Sequence, residues 1–263
     1  MKPRLIACII LLCGVCGTAF GQTGYSLNEN LENSATWAVT IHSTDGGYNG
    51  GVDAGPYDDA WNTNPMPQGY SKDMTVFCAD IRHYDVSPSK VTIMPFSADT
   101  TGTFTDNGSF NSNYLNFTYN YANLERAAWL YDHYLPAVQK ASGTQKQIDG
   151  AALQIAIWKA IETNTSDVTS VDDASSVFYI SSYPAASIDQ TYQSIVDQAN
   201  TWYTASANQK AAGTLFLTAH NGNYNQNMLG PAIAPELPGS ILFLAGLMIP
   251  SLVITRRRIR GMC

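Results

Sequence analysis

Apolar and polar residues follow the pattern of β-strands in five stretches of the chain. These stretches are residues 35–42, 75–81, 89–96, 113–120 and 213–220. Three other stretches, residues 122–135, 146–163 and 187–208, have the apolar spacing of helices, and Pro136 is expected to end the first one. Strands on both sides of a block of helices predict an α+β domain.

The segment between the first two predicted strands, residues 43–69, is rich in Gly, Pro, Asp and Asn and is predicted to be a loop. Its carboxylates offer oxygen ligands for Ca²⁺, although their spacing does not match an EF-hand and solvated acidic residues are the simpler interpretation. These residues are Asp45, Asp53, Asp58 and Asp59. Trp61, in the same segment, is a candidate for ligand recognition.

The N-terminus has the pattern of a secretory signal peptide over residues 1–21. Lys2 and Arg4 precede an apolar run over residues 5–15, and Ala19 and Gly21 fit a cleavage site before Gln22. The remaining chain is therefore expected to be exported, with a domain over residues 22–220 and a linker over residues 221–238.

The C-terminus has the pattern of a membrane or sorting segment over residues 239–260. Residues 239–255 are uncharged and mostly apolar, and Arg256, Arg257, Arg258 and Arg260 follow. With Pro235, Glu236 and Pro238 before it, this arrangement resembles the PEP-CTERM sorting signal. That resemblance implies a cell-surface or extracellular-matrix location and an exosortase-like transpeptidase as a partner, whereas a plain membrane anchor is the alternative.

The charge of the exported part excludes some partners. Six of the 14 basic residues lie in the two terminal segments, which leaves 8 basic against 21 acidic residues and a net charge of −13. An acidic domain of this kind argues against nucleic acid and anionic membranes as partners. Charged residues make up only 13% of the whole chain, so that Ser, Thr, Asn, Gln and Tyr must supply much of the polar surface.

Cysteine use singles out one residue. Cys8, Cys13 and Cys16 lie in the predicted signal peptide, and Cys263 lies beyond the arginine cluster, which leaves Cys78 in the exported domain. A single cysteine cannot form a disulfide within the domain. It is either a small buried apolar residue or a reactive group with another partner.

Gln154 is the second unusual residue, because it lies on the apolar face of the predicted helix over residues 146–163. The apolar arc includes Leu153, Ile157, Ala160 and Ile161, whereas Lys159 and Glu162 mark the expected solvent side. A buried carboxamide needs hydrogen-bond partners, since leaving it unpaired costs about 1–3 kcal/mol. It either bonds to a neighbouring strand or, held against a thiol, condenses with that thiol to a thioester.

Three motifs in this order, "VFCADI" around Cys78, "AAWLYDHYLP" and "LQIAIW" around Gln154, resemble the Cys–Gln thioester domains of bacterial surface proteins. The resemblance covers about residues 77–161. It implies a thioester between Cys78 and Gln154, and a β-sandwich or barrel-like sheet with an inserted helical subdomain. It also implies covalent adhesion to a surface macromolecule that bears amine or hydroxyl groups.

An adhesin of this kind acts once and is not an enzyme with turnover, and no cofactor is expected. His83, Tyr84 and Tyr131 are candidates for assisting the acyl chemistry. The four histidines lie far apart along the chain, and the common hydrolase and metalloprotease motifs are absent from the sequence. No metal site is therefore assigned. The alternative function is a non-covalent surface or matrix module, with a glycan as its ligand and Cys78 as an inert thiol.

Overall fold

The computed structural model describes residues 22–44, 48–81, 87–98, 100–106, 117–163, 169–182, 189–220, 223–224 and 226–233. The predicted signal peptide and C-terminal sorting segment lie outside these residues. Within the described part of the chain, no helix is both long enough and apolar enough to cross a membrane.

The described residues form three α-helices and twelve β-strands. The helices are α1 (Tyr121–Lys140), α2 (Gly143–Glu162) and α3 (Gln190–Ala205). The strands are β1 (Gln22–Asn28), β2 (Trp37–Ser43), β3 (Tyr48–Ala54), β4 (Pro56–Trp61), β5 (Asp73–Cys78), β6 (Ser89–Phe96), β7 (Thr103–Asp106), β8 (Phe117–Asn120), β9 (Phe178–Ser182), β10 (Gly213–His220), β11 (Asn223–Tyr224) and β12 (Met228–Gly230).

Six antiparallel strands close into a barrel in the order β10-β12-β5-β4-β1-β6, with β6 pairing back onto β10. The barrel-like sheet expected from the sequence is therefore confirmed. Leu27, Val76, Ile93 and Phe216 come from four of these strands and are all buried. A separate sheet has the order β3-β2-β9, and β7 pairs with β8.

The helices follow β8, and α2 lies at the centre of the helical part. It packs against α1 and α3, and it also contacts strands of both larger sheets. The side chain of Asn120 caps α1 by accepting a hydrogen bond from the Ala122 N–H, and Asp189 caps α3 through the Tyr192 N–H. Every residue of α2 from Asp149 to Ile161 is buried. The helix that carries Gln154 is thus a core element.

The prediction that residues 43–69 form a loop is wrong, because β3 and β4 lie within them. Strand β3 pairs with β2 along its whole length, from Trp37↔Ala54 to Ser43↔Tyr48. Pairing with a neighbouring strand outweighs the low strand propensity of a Gly- and Asn-rich sequence.

The predicted linker is also wrong in its first part, because β11 and β12 fall within residues 221–238. Strand β12 pairs with β10 on one side and with β5 on the other. All three of its residues are buried, so the domain extends at least to Gly230.

Pro136 lies inside α1 and does not end it. A proline removes one backbone N–H, which leaves the carbonyl of residue 132 without its helical bond. Asp132 and Pro136 are exposed, so this carbonyl lies on the outer side of α1, and the helix continues to Lys140.

Lys159 does not lie on a solvent-exposed side of α2, as the sequence predicted, but is fully buried. Its ammonium nitrogen lies 2.5–3.3 Å from four oxygens, which share its three N–H donors. These are Thr169 Oγ1, Ser170 O, Ser176 Oγ and Phe178 O. The lysine therefore fixes the segment before β9 to α2, as a buried charge requires polar partners.

Candidate functional site

Cys78 is the last residue of β5, and Gln154 lies in the middle of α2. Both are buried, with exposed fractions of 1% and 0%. The Cys78 N–H donates to Gln154 Oε1 at 2.9 Å, and Gln154 Nε2 donates to the Cys78 carbonyl at 2.8 Å. The carboxamide of Gln154 therefore lies along the Cys78 peptide and satisfies both of its polar groups.

The end of β4 explains why the Cys78 peptide accepts a side chain as its neighbour. The register between β4 and β5 ends at the pair Pro56↔Phe77, one residue before Cys78. Beyond that pair, the Gln154 carboxamide occupies the hydrogen-bonding position of a further strand residue. On the other side of β5, Cys78 pairs with Met228 of β12.

Close packing of α2 brings Gln154 to this position. Gly150 lies one turn before Gln154 on the same face of the helix. A Cβ atom at Gly150 would lie 2.2 Å from the carbonyl oxygen of Ala35, which belongs to a short 3₁₀ helix at Asn33–Ala35. Only glycine permits this approach of the helix.

The sulfur of Cys78 contacts the backbone of Asp80. Sγ donates to the Asp80 carbonyl at 3.0 Å, and the Asp80 N–H donates to Sγ at 3.3 Å. An N–H directed at sulfur stabilises a thiolate, which is the nucleophilic form of cysteine. The buried site therefore contains a thiol, a polarised carboxamide and a donor to the sulfur.

Gln226 extends the hydrogen-bond network around Asp80, and the sequence offered no signal for it. Its Nε2 donates to the Asp80 carbonyl at 3.2 Å, and its Oε1 accepts from the Tyr57 hydroxyl at 2.9 Å. Because residues 221–238 were expected to be a linker, this contact was not predicted.

Of the predicted assisting residues, Tyr131 is the one whose position the structure describes. Its hydroxyl donates to the carbonyl of Thr75, on β5, at 2.7 Å. Burial, together with the neighbouring Asp132 carboxylate, raises the pKa of the Tyr131 hydroxyl well above its ordinary value. Tyr131 thus holds α1 against β5 as a neutral hydroxyl. His83 and Tyr84 lie outside the described residues.

The acidic residues proposed for Ca²⁺ are not gathered in a loop. Asp53 lies on β3, whereas Asp58 and Asp59 are neighbours on β4 and face opposite sides of that strand. Asp45 lies outside the described residues. In the part of the chain that the structure describes, no group of three or more His, Cys, Asp and Glu side chains forms a metal site.

Trp158 is a buried core residue and lies one turn after Gln154. Its indole N–H has no hydrogen-bond acceptor among the described residues. Trp129 is half-buried on α1 and stacks on His133. Trp61 is the last residue of β4 rather than a loop residue, and its exposed fraction is 6%.

Comparison with known proteins gives few matches. No family model matches the sequence, and no curated protein matches it. Among solved structures, the chain is similar to the N-terminal thioester domain of a surface protein from Clostridium perfringens. The TM-score is 0.39 at 14% identity, over 80% of this chain and 99% of that one.

Proposed function

We propose that Cys78 and Gln154 form an internal thioester, and that the chain uses it to attach covalently to amine or hydroxyl groups on a partner surface. The observation that carries this proposal is the pair of hydrogen bonds, 2.9 and 2.8 Å long, that holds the Gln154 carboxamide on the Cys78 peptide. The thiol belongs to the same residue as that peptide. The acyl group is therefore held against the residue that carries the nucleophile.

The reaction balances without a cofactor. The Cys78 sulfur attacks the Gln154 acyl carbon, the bond from that carbon to Nε2 breaks, and the nitrogen leaves as ammonia with the thiol proton. Fixing two reactants in this way can supply about 7–11 kcal/mol of the barrier. The Cys78 N–H at Oε1 stabilises the charge that develops on the acyl oxygen, and the Asp80 N–H at 3.3 Å stabilises the thiolate.

In the attachment step, the Cys78 sulfur is the leaving group instead of the nucleophile. An amine or hydroxyl on the partner attacks the same acyl carbon and expels the Cys78 thiolate, which leaves a stable amide or ester bond. Each chain reacts once, so the protein is not an enzyme with turnover. Because Cys78 and Gln154 are buried, the thioester is protected from water. A nucleophile, whether a small amine or a macromolecule, reaches it only when the surrounding segments move.

The export and sorting patterns in the sequence indicate where in the cell this reaction takes place. We propose that the chain is exported by its N-terminal signal and held at the cell surface or in the extracellular matrix after handling by an exosortase-like transpeptidase. A partner surface with accessible amines or hydroxyls is then within reach. No nucleic acid is expected as a partner, because the exported part carries a net charge of −13.

Intact mass spectrometry of the purified protein, with and without methylamine, tests the thioester. We expect a mass that is short by one ammonia, and the addition of one methylamine on treatment. Fragment spectra are expected to place the new amide on Gln154. Cys78→Ala and Gln154→Ala should lose both effects.

Gln226→Ala is the matched control, because it removes a nearby glutamine whose carboxamide bonds to Asp80 and Tyr57. It should keep the ammonia loss. A wild-type mass equal to that of the sequence, with no uptake of methylamine, would reject the thioester. The two hydrogen bonds, which satisfy both polar atoms of the carboxamide, would then favour the non-covalent alternative, with Gln154 as a core clamp and Cys78 as an inert thiol.

A further inference from the structure

The outer edge of β3 is a second interaction surface. Strand β3 pairs with β2 along its whole length and with no other strand among the described residues. Folded proteins usually cover such an edge or interrupt it with lysine, proline or a bulge, because its free N–H and C=O groups accept any further strand. The sequence of β3, YNGGVDA, contains no lysine or proline, and its register with β2 has no bulge. The edge of β3 is therefore open to another strand.

The opposite edge of the same sheet, on β9, is covered. The Ile180 N–H donates to the Val171 carbonyl at 2.8 Å, and the Phe178 carbonyl accepts from Lys159 Nζ at 2.9 Å. Val171 lies in the segment before β9, and Lys159 lies on α2. Groups from outside the sheet thus occupy the edge of β9, and the open edge of β3 is the exception.

The bond at Ile180 also shows which residues of β3 direct their backbone groups outwards. In an antiparallel sheet, the N–H and C=O of one residue point to the same side, and successive residues alternate. Because Ile180 points away from β2, its partner Ile41 points to β3, where it pairs with Gly50. Gly50 therefore points back to β2. Alternation then directs the backbone groups of three residues out of the edge, namely Asn49, Gly51 and Asp53.

These three residues are also the exposed residues of β3. Gly51, in the middle, has no side chain, and a glycine inside a strand often marks the close approach of another backbone. The Tyr48 hydroxyl lies 3.5 Å from the Gly51 carbonyl oxygen, at the long limit of a hydrogen bond. An incoming N–H therefore replaces a weak contact at this position.

The sequence of β3 is complementary to itself when two copies run antiparallel about a two-fold axis at Gly51. Gly51 then pairs with Gly51 of the second copy, and Asn49 pairs with Asp53 of the second copy. Every outward-directed residue meets another outward-directed residue. The Asn49 carboxamide donates to the Asp53 carboxylate opposite it, and no two like charges face each other. A two-fold axis is also the commonest symmetry of protein dimers.

We propose that two copies of the chain associate through β3 in this register. The two three-stranded sheets join into one continuous antiparallel sheet, and each outward-directed pair contributes two backbone hydrogen bonds. The association is non-covalent and does not use Cys78 or Gln154. It goes beyond the proposed thioester and places two such sites on one particle.

Sedimentation of the purified protein over a range of concentrations tests the association. The exported part carries a net charge of −13, so the measurement is made in about 0.15 M salt, which screens repulsion between copies. We expect a reversible monomer–dimer equilibrium. Asn49→Asp places a carboxylate opposite Asp53 and should weaken the dimer by about tenfold, whereas Asn49→Lys should strengthen it. Asn62→Asp and Asn62→Lys make the same charge changes at an exposed position after β4 and should dimerise like the wild type.

Amide hydrogen exchange tests the register. As the protein concentration rises, exchange should slow at Asn49, Gly51 and Asp53, whereas Gly50 and Val52, which already bond to β2, should not change. Cys78→Ala should dimerise like the wild type, which separates this proposal from the thioester. A monomer at all concentrations would overturn the proposal. So would a dimer that responds equally to the Asn49 and Asn62 variants, or one that forms without slower exchange at the three outward-directed residues.

Discussion

Asp149 shows how burial acts on a single carboxylate in α2. Its exposed fraction is 7%, and it accepts a hydrogen bond from Gln145 Nε2 at 2.8 Å. Burial raises the pKa of the Asp149 carboxyl, and the Gln145 hydrogen bond opposes that shift. The charged form is therefore disfavoured in the folded chain, four residues before the start of the "LQIAIW" motif at Leu153 and next to Gly150.

We expect Asp149→Asn to change the pH dependence of stability. Below the ordinary value of 3.8, the carboxyl is protonated in both the folded and unfolded states and costs nothing. As the pH rises through 3.8 and then through the raised pKa, the unfolded state gains by ionising and the folded state loses stability. Asp149→Asn removes this loss, so the variant should have the higher Tm at pH 7, by no more than about 4 °C.

Thermal unfolding of both proteins from pH 3 to pH 7 measures the effect, and Asp197→Asn is the control. Asp197 is exposed on α3 and accepts a bond from Gln193 with the same four-residue spacing, so that it differs from Asp149 mainly in burial. The Tm difference between Asp149→Asn and the wild type should grow as the pH rises. A Tm difference that is constant with pH, or equal in the two variants, would contradict the conclusion that burial of the Asp149 carboxyl causes the effect.

At the scale of an element, the position of α2 depends on Gly150. Alanine is ordinarily better than glycine inside a helix by about 1 kcal/mol. At Gly150 the added Cβ would lie 2.2 Å from the Ala35 carbonyl oxygen and 3.0 Å from the Ala35 Cβ. Either the helix or the 3₁₀ helix at Asn33–Ala35 has to move, and Gln154 lies one turn further along the same face.

Gly150→Ala should therefore destabilise the fold, by about 1–3 kcal/mol as in other overpacked cores, and lower the fraction of chains that carry the thioester. Urea unfolding measures the first effect, and methylamine uptake by mass measures the second. Thr144→Ala, an exposed change in the same helix, should alter neither quantity. Wild-type stability and uptake in Gly150→Ala would mean that the close approach does not set the position of Gln154.

The pattern of apolar and polar residues within a segment correctly predicted some of the strands and helices. The alternation of apolar and polar residues over residues 89–96 matches β6. The helical spacing of apolar residues around Gln154 matches α2, although α2 begins a few residues earlier than predicted. The buried Gln154 was predicted to need a partner, and the Cys78 peptide provides one. Strand β3 was missed because its pairing with β2, rather than its composition, makes it a strand. Strand β12 was missed because its own sequence does not reveal its pairing with β10 and the distant β5. Lys159 was misplaced because a helical wheel assumes a solvent-exposed side, whereas α2 is surrounded by protein.

At the scale of the whole molecule, the barrel and the candidate thioester depend on a short segment near its end. Strand β12 closes the barrel between β10 and β5, and its Met228 is the partner of Cys78 in the ladder. Met228 and Leu229 are fully buried. Gly230 is held closely, because a Cβ there would lie 2.4 Å from the Phe216 ring. The strand that carries Cys78 is thus supported by residues about 150 positions later in the sequence.

We expect a chain that ends at His220, without β11 and β12, to lose cooperative unfolding, whereas a chain that ends at Ile233 keeps it. Each buried side chain of β12 contributes about 1.5–3 kcal/mol, and the total stability of a domain is about 5–15 kcal/mol. Removing both side chains and the ladder bonds leaves β5 and β10 as open edges. Methylamine uptake should be lost with the fold, because the peptide of Cys78 then has no fixed position against Gln154. Urea unfolding and intact mass of the two chains, compared side by side, test this coupling. An equal unfolding midpoint, or equal uptake in the shorter chain, would show that Cys78 and Gln154 are held together by α2 and β4 without the closed barrel.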